Sequence, residues 1–331
     1  MAQVDIIIPN WNGREWLGSC LESLQRQTFR DLQIILVDNG STDGSAEFVR
    51  VQFPEVKLVE LSENRGFTGG INAGIRAGSA EYLCWFNNDA EAAPDFLEQL
   101  LNALKTRESE GFGMAAARVL FQATPDRLNS AGIFVGPDGL GRDRGFQRPN
   151  GSPFDQTAEL FGPAGVAALY RRAIFDEVGL LDEDFFLYSE EIDLNYRAQL
   201  AGYRCLYVPT AGVVHRGSAT ARRVSTMAAR LASRNGLLVI IKNLPGPLCL
   251  WLLPWIVVGQ VYQLVLFARQ GKFIPALQGK LEVFKLLRPT LSKRRFIQQR
   301  RKVTVTHFRQ QMALGRTTPR LLQRFSNCSL R

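Results

Sequence analysis

Over the first hundred residues, short apolar runs alternate with stretches of helical period. The run "VDIII" at 4–8 is β-branched and is closed by Pro9. From Arg14 to Gln27, Leu17, Leu21 and Leu24 fall on one face, which predicts a helix. "LQIILV" at 32–37 is a second buried strand, and "STDGSAEFV" opens a second helix with Ser41 or Thr42 as its cap. "VKLVEL" at 56–61 is a third strand, and the glycine-rich turn "NRGFTGGINAG" leads into a helix ending near Gly78. "YLCWF" at 82–86 is a fourth strand, and Pro94 stands near the start of a helix that runs to about Arg107. Near-continuous apolar strands separated by helices predict a parallel sheet covered on both faces.

Beyond Gly111 the pattern changes. "GMAAARVLF" and "NSAGIFV" read as strands, and 136–155 reads as a loop rich in Gly, Pro and Arg. A connection that long without structure of its own points to a mobile functional loop. "RRAIFDEVG" and "EEIDLNYRAQLAG" read as helices, then "YRCLYVP" and "GVVH" as short strands. From Pro247 to Ala268 the chain runs 22 residues without a charge. A straight helix of that length would reach about 33 Å, enough to cross a bilayer, although it contains Pro254, Gly259, Gln260 and Gln263. An amphipathic pattern follows, with Leu277, Leu281, Phe284 and Leu287 on one face and Lys280 and Lys285 off it.

Charge divides the chain where the hydropathy pattern does. Residues 1–215 carry a net −12 and residues 216–331 a net +21, Glu282 being the one acid of the second part. An acidic body with a basic tail predicts that the tail meets an anionic surface. At 331 residues the length suits roughly two domains, here 1–220 and 221–331. The five cysteines are scattered and odd in number, which fits a reducing compartment. The N-terminus has no basic segment before its short apolar run, so no secretory signal is expected and the body is expected in the cytoplasm.

In parallel α/β sheets, ligands bind outside the carboxyl ends of the strands. Asp38, Asn64 and Asp89 follow three such strands, and together they suggest a nucleotide site. Gly66, Gly69 and Gly70 would let backbone approach a ligand, but they do not form the first-strand dinucleotide fingerprint, which argues against a dehydrogenase. A carboxylate at the end of a buried strand needs a partner or a metal; Asp89 is the best metal candidate, and a hard Mg2+ or Mn2+ ion shared with a diphosphate would neutralise both. His215, read alone, is a structural histidine at a strand end, and His307 a surface one. Ser189 is a natural N-cap, and Glu190 and Glu191 then sit in the first helical turn, where the helix dipole favours them; a carboxylate there is also placed to act as a general base. Asp193 and Arg197 are spaced to pair along the helix.

Six stretches in this order, "IIIPNWNG", "LQIILVDNGSTDGS", "ENRGFTGGINAGIRAG", "FNNDAEAAPDFL", "GPAGVAALYRRAIFDEVGLLDEDFFLYSEEIDLNYRAQLAGYR" and "VVHRGSAT", resemble glycosyltransferase family 2. These are inverting enzymes of GT-A fold, and the likeness is strongest to the rhamnosyltransferase type of bacterial polysaccharide assembly. The resemblance implies a nucleotide-sugar pocket lined by Pro9, Asn10, Asp38, Asn64, Gly66, Asn72, Asn87 and Asn88. It implies a divalent metal, Mg2+ or Mn2+, on Asp89 and His215, reversing the structural reading of the histidine. It makes Glu191 the base, with Glu190 as the alternative, because the usual Glu-Asp pair is Glu-Glu here. Asn87 stands where a first acid is frequent, and Ile71 where Asn is. Gly162, Pro163, Ala164 and the 136–155 loop are expected to touch the acceptor. The implied donor is a dTDP- or UDP-linked sugar, rhamnose first, and the implied acceptor a lipid-linked saccharide.

A tail rich in Trp, Leu and Val fits lipid better than nucleic acid. Nucleotide sugars are cytoplasmic, so a single crossing would leave 16 Lys and Arg outside, against the positive-inside rule. The expectation is therefore a re-entrant or interfacial segment at the cytoplasmic face of the membrane, held in part by its cations. Two rival readings remain: a catalytically inactive GT-A scaffold, suggested by "NND" and "EE", and a nucleotidyltransferase, disfavoured because "PNWNGREW" is not a basic glycine-rich loop.

Overall fold

The computed structural model describes residues 2–217 and 225–315. The apolar runs pair where they are longest. In the first half, β1 (Val4–Asn10), α1 (Arg14–Gln25), β2 (Leu32–Asp38), α2 (Ser45–Gln52), β3 (Lys57–Glu60), α3 (Gly66–Ala77), β4 (Tyr82–Phe86), β5 (Ala90–Ala92) and α4 (Phe96–Thr106) follow one another. Next come β6 (Phe112–Phe121), β7 (Leu128–Ser130), β8 (Ile133–Val135), β9 (Gly141–Asp143), β10 (Ala158–Leu160), β11 (Ala167–Arg171), α5 (Arg172–Val178), α6 (Glu190–Leu200) and β12 (Arg204–His215). Helices α7 (Thr226–Asn243), α8 (Gly246–Arg269), α9 (Phe273–Gln299) and α10 (Val305–Met312) close the described chain.

The main sheet has the order β10-β12-β6-β11-β4-β1-β2-β3. Its first half is parallel as expected, with Asn10 level with Asp38. The second half is mixed: β11 runs antiparallel to both β4 and β6, and β12 runs parallel to β6. Two reversals bring the carboxyl ends of β1, β2, β4 and β12 to one edge. One face of the sheet packs on α1 and α4 and the other on α3, α5 and α6. A third core joins Phe161, Phe185, Tyr196 and Leu200 to Leu238, Val239, Leu248, Ile256 and Phe308. The C-terminal helices thus share buried side chains with the sheet-bearing part. The boundary expected at 220 lies outside the described residues.

Several local expectations are corrected. Helix α2 begins at Ser45, not at Ser41 or Thr42, because the Asp43 carboxylate accepts the Ser45 N–H at 3.0 Å. "YRCLYVP" and "GVVH" form one strand with a register shift between Val208 and Gly212. "NSAGIFV" divides between β7 and β8, with Gly132 at φ +87° between them. The 136–155 stretch is not a structureless loop: β9 pairs with β8, the Arg144 guanidinium lies 4.9 Å from the Phe154 ring, and Tyr207 donates to the Phe154 carbonyl at 2.8 Å. Buried anchors of that kind hold a segment in place. Helix α7, not anticipated, is buried along most of its length.

Helix α9 turns its small residues inward. Ala276, Gly279, Val283 and Thr290 are its buried positions. A Cβ on Gly279 would stand 2.0 Å from the Arg230 carbonyl, so α7 and α9 approach backbone to backbone there. The large apolar side chains Ile274, Leu281 and Phe284 consequently face out, as do Leu250, Trp251, Trp255 and Val261 of α8. Among the described residues α8 is the one helix long and apolar enough to cross a membrane, and only 22% of its apolar window is buried.

Candidate active site

At the carboxyl ends of β1, β2 and β4 the side chains form a chain of amides. Asn10 Nδ2 donates to Asp38 Oδ1 at 3.2 Å, and Asn88 Nδ2 donates to Asn10 Oδ1 at 2.7 Å. The other Asp38 oxygen accepts the Ser41 N–H at 3.1 Å. Strand register makes this possible, since Asn10 and Asp38 are paired neighbours and Asn88 follows the adjacent β4. Asn39, which sequence reasoning passed over, donates to Asn64 Oδ1 at 3.2 Å and to the Gly66 carbonyl at 2.8 Å, and so fixes the start of α3. Pro9 is half-buried at the end of β1, where Gly70 of α3 approaches its Cβ.

The glycines serve packing more than ligand approach. Gly66 has φ +70°, and a Cβ there would meet the Phe186 carbonyl at 2.3 Å. Asn72, expected in the cleft, is buried instead: its amide donates to the Leu181 carbonyl and Glu183, and its oxygen accepts the Leu181 N–H. That use of every polar group makes it a tie between α3 and the 181–183 turn. Gly162, Pro163 and Ala164 are likewise buried against α6, with Asn195 Nδ2 donating to the Pro163 carbonyl at 3.0 Å. The residue of this stretch nearest Glu191 is Gly165, whose Cβ position lies 3.7 Å from the Glu191 carboxyl carbon.

At the centre, Asp89 Oδ1 stands 3.0 Å from His215 Nε2, and His215 Nδ1 stands 3.1 Å from Asn129 Oδ1. The Asn129 oxygen suits the tautomer with its proton on Nδ1, in which Nε2 presents a lone pair to the carboxylate. Two electron-pair donors facing each other need a proton or a cation between them. Two ligands of one octahedral ion with bonds of about 2.1 Å stand about 3 Å apart, so the pair fits a small divalent metal. A second-shell acceptor that fixes the histidine tautomer is a usual companion of such a site. Among the described residues no group of three or more His, Cys, Asp or Glu side chains gathers to hold a metal. A metal here would complete its shell with substrate oxygens and water.

Across the cleft lies the start of α6. The Asn87 N–H donates to the Val166 carbonyl at 2.9 Å, which ties the end of β4 to the strand entry beside Gly165 and Glu191. Ser189 does not cap the helix with its side chain; it is held at φ +68°. Glu190 is buried, its Oε2 has no hydrogen-bond partner, and burial pushes its carboxyl well above the ordinary range. Glu191 is partly open to the cleft and is pushed up to about 7, chiefly by burial, with the Asp143 charge adding to the effect. Asp143, at the end of the β8–β9 hairpin, is exposed, and its charge is near enough to act on Glu191 and to feel that of His215. Nothing in the sequence near "GRDRG" signalled that this acid comes near Glu191.

A strand-end pocket of amides, a metal-compatible Asp–His pair and a buried acid at a facing helix start define an α/β transferase of GT-A fold. The Glycosyl transferase family 2 domain matches residues 5–179, and the chain belongs to that family. The N-acetylglucosaminyl-diphospho-decaprenol L-rhamnosyltransferase of Mycobacterium tuberculosis is 28% identical over 225 residues, covering 59% of this chain and 70% of that protein. The mannosyltransferase PcManGT from Pyrobaculum calidifontis, solved with GDP-Man and Mn2+, superposes with a TM-score of 0.55 at 18% identity over 89% of this chain and 84% of its own. GalNAc-T7, solved with UDP, GalNAc and Mn2+, gives 0.60 at 15% identity over 80% and 51%.

Proposed function

We propose that this glycosyltransferase moves a sugar, rhamnose first among the alternatives, from a dTDP- or UDP-linked donor to a lipid-linked saccharide with inversion at the anomeric carbon. One combination carries the reading: Asp89 and His215 meet at 3.0 Å where strands end, and Glu191, at the start of α6, has a raised carboxyl and no ion pair among the described residues. The relative's name, which contains a lipid diphosphate acceptor and a rhamnosyl product, supports the choice of sugar and acceptor. The Mn2+ in both structural neighbours supports a divalent metal.

Asp38, Asn10 and Asn88 would hold the nucleotide at the ends of β1, β2 and β4. Asp89 and His215 would hold the metal, which supplies positive charge for the departing diphosphate when bound. Glu191 takes the proton from an acceptor hydroxyl. That oxygen forms a bond to the anomeric carbon as the bond to the diphosphate oxygen breaks on the opposite face. The diphosphate carries the electron pair away, and Glu191 returns its proton to solvent. A single base suffices, unlike the paired acids of glycoside hydrolases.

The outward apolar faces of α8 and α9 support a peripheral or monotopic seat on the cytoplasmic face of the membrane. An exposed patch that large is unusual on a soluble monomer, and the basic residues around it suit anionic lipid. A cavity of about 140 Å³ lies between α8 and the start of α6, lined by Leu140, Ile192, Val239, Tyr262 and Phe267; it would admit the apolar end of such an acceptor. The test is transfer by the purified enzyme with Mn2+. Asp89→Ala and Glu191→Gln are each expected to abolish transfer while keeping the native circular dichroism spectrum. Full transfer by Glu191→Gln would refute the base. Flotation with anionic vesicles is expected for the wild type, and a protein that stays wholly in the soluble layer at low salt would refute the membrane seat.

A further inference from the structure

The segment 185–189, immediately before Glu190 and Glu191, is bent in a way its residues resist. Phe186 has φ +64° and ψ −59°, and the Leu187 N–H donates to the Phe185 carbonyl at 2.7 Å, closing a γ-turn of the rare, strained hand. Tyr188 and Ser189 follow at φ +72° and +68°. None of the three is glycine, and left-handed backbone at bulky residues persists only when the surroundings over-determine it. The bend is what starts α6 at the cleft, since the first helical bond is Asp193 N–H to the Ser189 carbonyl.

The restraint comes from α7. Asn235 Nδ2, wholly buried, lies 2.9 Å from the Phe185 carbonyl, 2.9 Å from that of Leu187 and 2.8 Å from that of Tyr188. Arg234 donates to the Asp184 and Phe185 carbonyls at 2.7 and 3.1 Å, and its Nε donates to Asn235 Oδ1 at 2.9 Å, which orients the amide. On the opposite side, the Thr68 N–H donates to the Phe186 carbonyl at 3.3 Å. Buried carbonyls must be paired, and α7 pairs most of those in this turn.

We infer that Asn235 is a positioning residue for the catalytic base: its amide holds the strained 185–189 turn that aims Glu191 at the acceptor. Helix α7 lies beyond the matched family domain, so the C-terminal region takes part in catalysis as well as in any contact with lipid. The inference rests on the reading of Glu191 as the base.

The test is a double-mutant cycle in the full-length enzyme. Asn235→Asp keeps the volume but sets an acceptor against three carbonyls; Asn235→Ser serves if that variant does not fold. A displacement of about 1 Å at the base costs on the order of a hundredfold. The expected result is a fall in kcat of about ten- to a hundredfold with the donor KM within about twofold of wild type. Affinity for the nucleoside diphosphate with Mn2+, measured by calorimetry, is expected to stay unchanged, because those ligands bind across the cleft. Combined with Glu191→Gln, the Asn235 change should cost nothing more. Wild-type kcat in a folded Asn235→Asp enzyme, or losses that multiply in the double variant, would overturn the inference while leaving the base intact. Full activity of Glu191→Gln would overturn both.

Discussion

Helix α6 carries two kinds of carboxylate one turn apart. Asp193 is buried between two cations, Arg197 at 2.9 Å and Lys242 at 2.9 Å, and also accepts from the neutral Asn243 amide at 2.8 Å. Those partners outweigh burial and hold its carboxyl below the ordinary range. Asp182 shares Lys242 and also meets Lys293, and is held at about 2. Glu190 and Glu191, at the same helix's start, have no cation partner among the described residues and are raised. Burial does not sort them, since Glu190 and Asp193 are both buried and Asp182 and Glu191 both half-buried; what separates them is pairing. Asp193 fastens α6 to α7, and Asp182 fastens the turn before α6 to α7 and α9; Glu191, unpaired, is left able to exchange a proton near neutral pH. Pairing thus supports the proposal that Glu191, and not Asp193, is the functional acid of α6.

The sharpest test of that division sets two substitutions side by side. Glu191→Gln is expected to lose transfer by about two to four orders of magnitude, the usual worth of a general base, without losing stability. Asp193→Ala is expected to do the reverse at first: removing one partner of a buried pair leaves Lys242 under-neutralised and costs about 3–5 kcal/mol, read as a lower denaturant midpoint. A normal midpoint for Asp193→Ala would mean that the network around Lys242 contributes little.

A smaller effect is expected at Asn129. Its contact with His215 Nδ1 fixes which ring nitrogen meets Asp89. Loss of a second-shell partner costs about ten- to a hundredfold in metal affinity, so Asn129→Ala should need that much more Mn2+ for half-maximal activity. Unchanged Mn2+ dependence would make Asn129 an ordinary loop contact.

These residues also mark how far the sequence could be read. The parallel half of the sheet and the placing of Asp38 and Asp89 at strand ends and of Glu190–Glu191 in a first helical turn were legible because each signal is local: an apolar run with a polar side chain at its end, or acids opening a helical period. The Asp193–Arg197 pair was legible from helical spacing. Asn129, Asp143 and Asn235 were not, because each acts on a group dozens of residues away and no local period announces it. The glycines of α3 misled for the same reason: what requires Gly66 is the Phe186 carbonyl, 120 positions later. Helix α9 showed its amphipathic pattern, but the direction of the apolar face depended on Gly279 meeting α7.

The smallest expected effect bears most directly on the comparison. Because Glu191 has its native carboxyl raised from the usual 4.5 to about 7, the folded protein holds that proton longer than the unfolded chain does. The corresponding stability is fully present below about pH 4.5 and is lost as pH rises through about 7. Asp182 has the opposite sign: its contribution is present above about pH 4 and is lost as pH falls through about 2. A glutamine at 191 carries no charge to bury, and it also relieves the repulsion on Glu190. The melting temperature of Glu191→Gln should therefore match wild type near pH 4.5 and exceed it by on the order of a few degrees at pH 8. Transfer by the wild type should rise with pH over the same range, as the base loses its proton. If the two melting curves stay parallel from pH 4.5 to 8, Glu191 is solvated and ionised like any surface acid, and its contrast with Asp193 disappears.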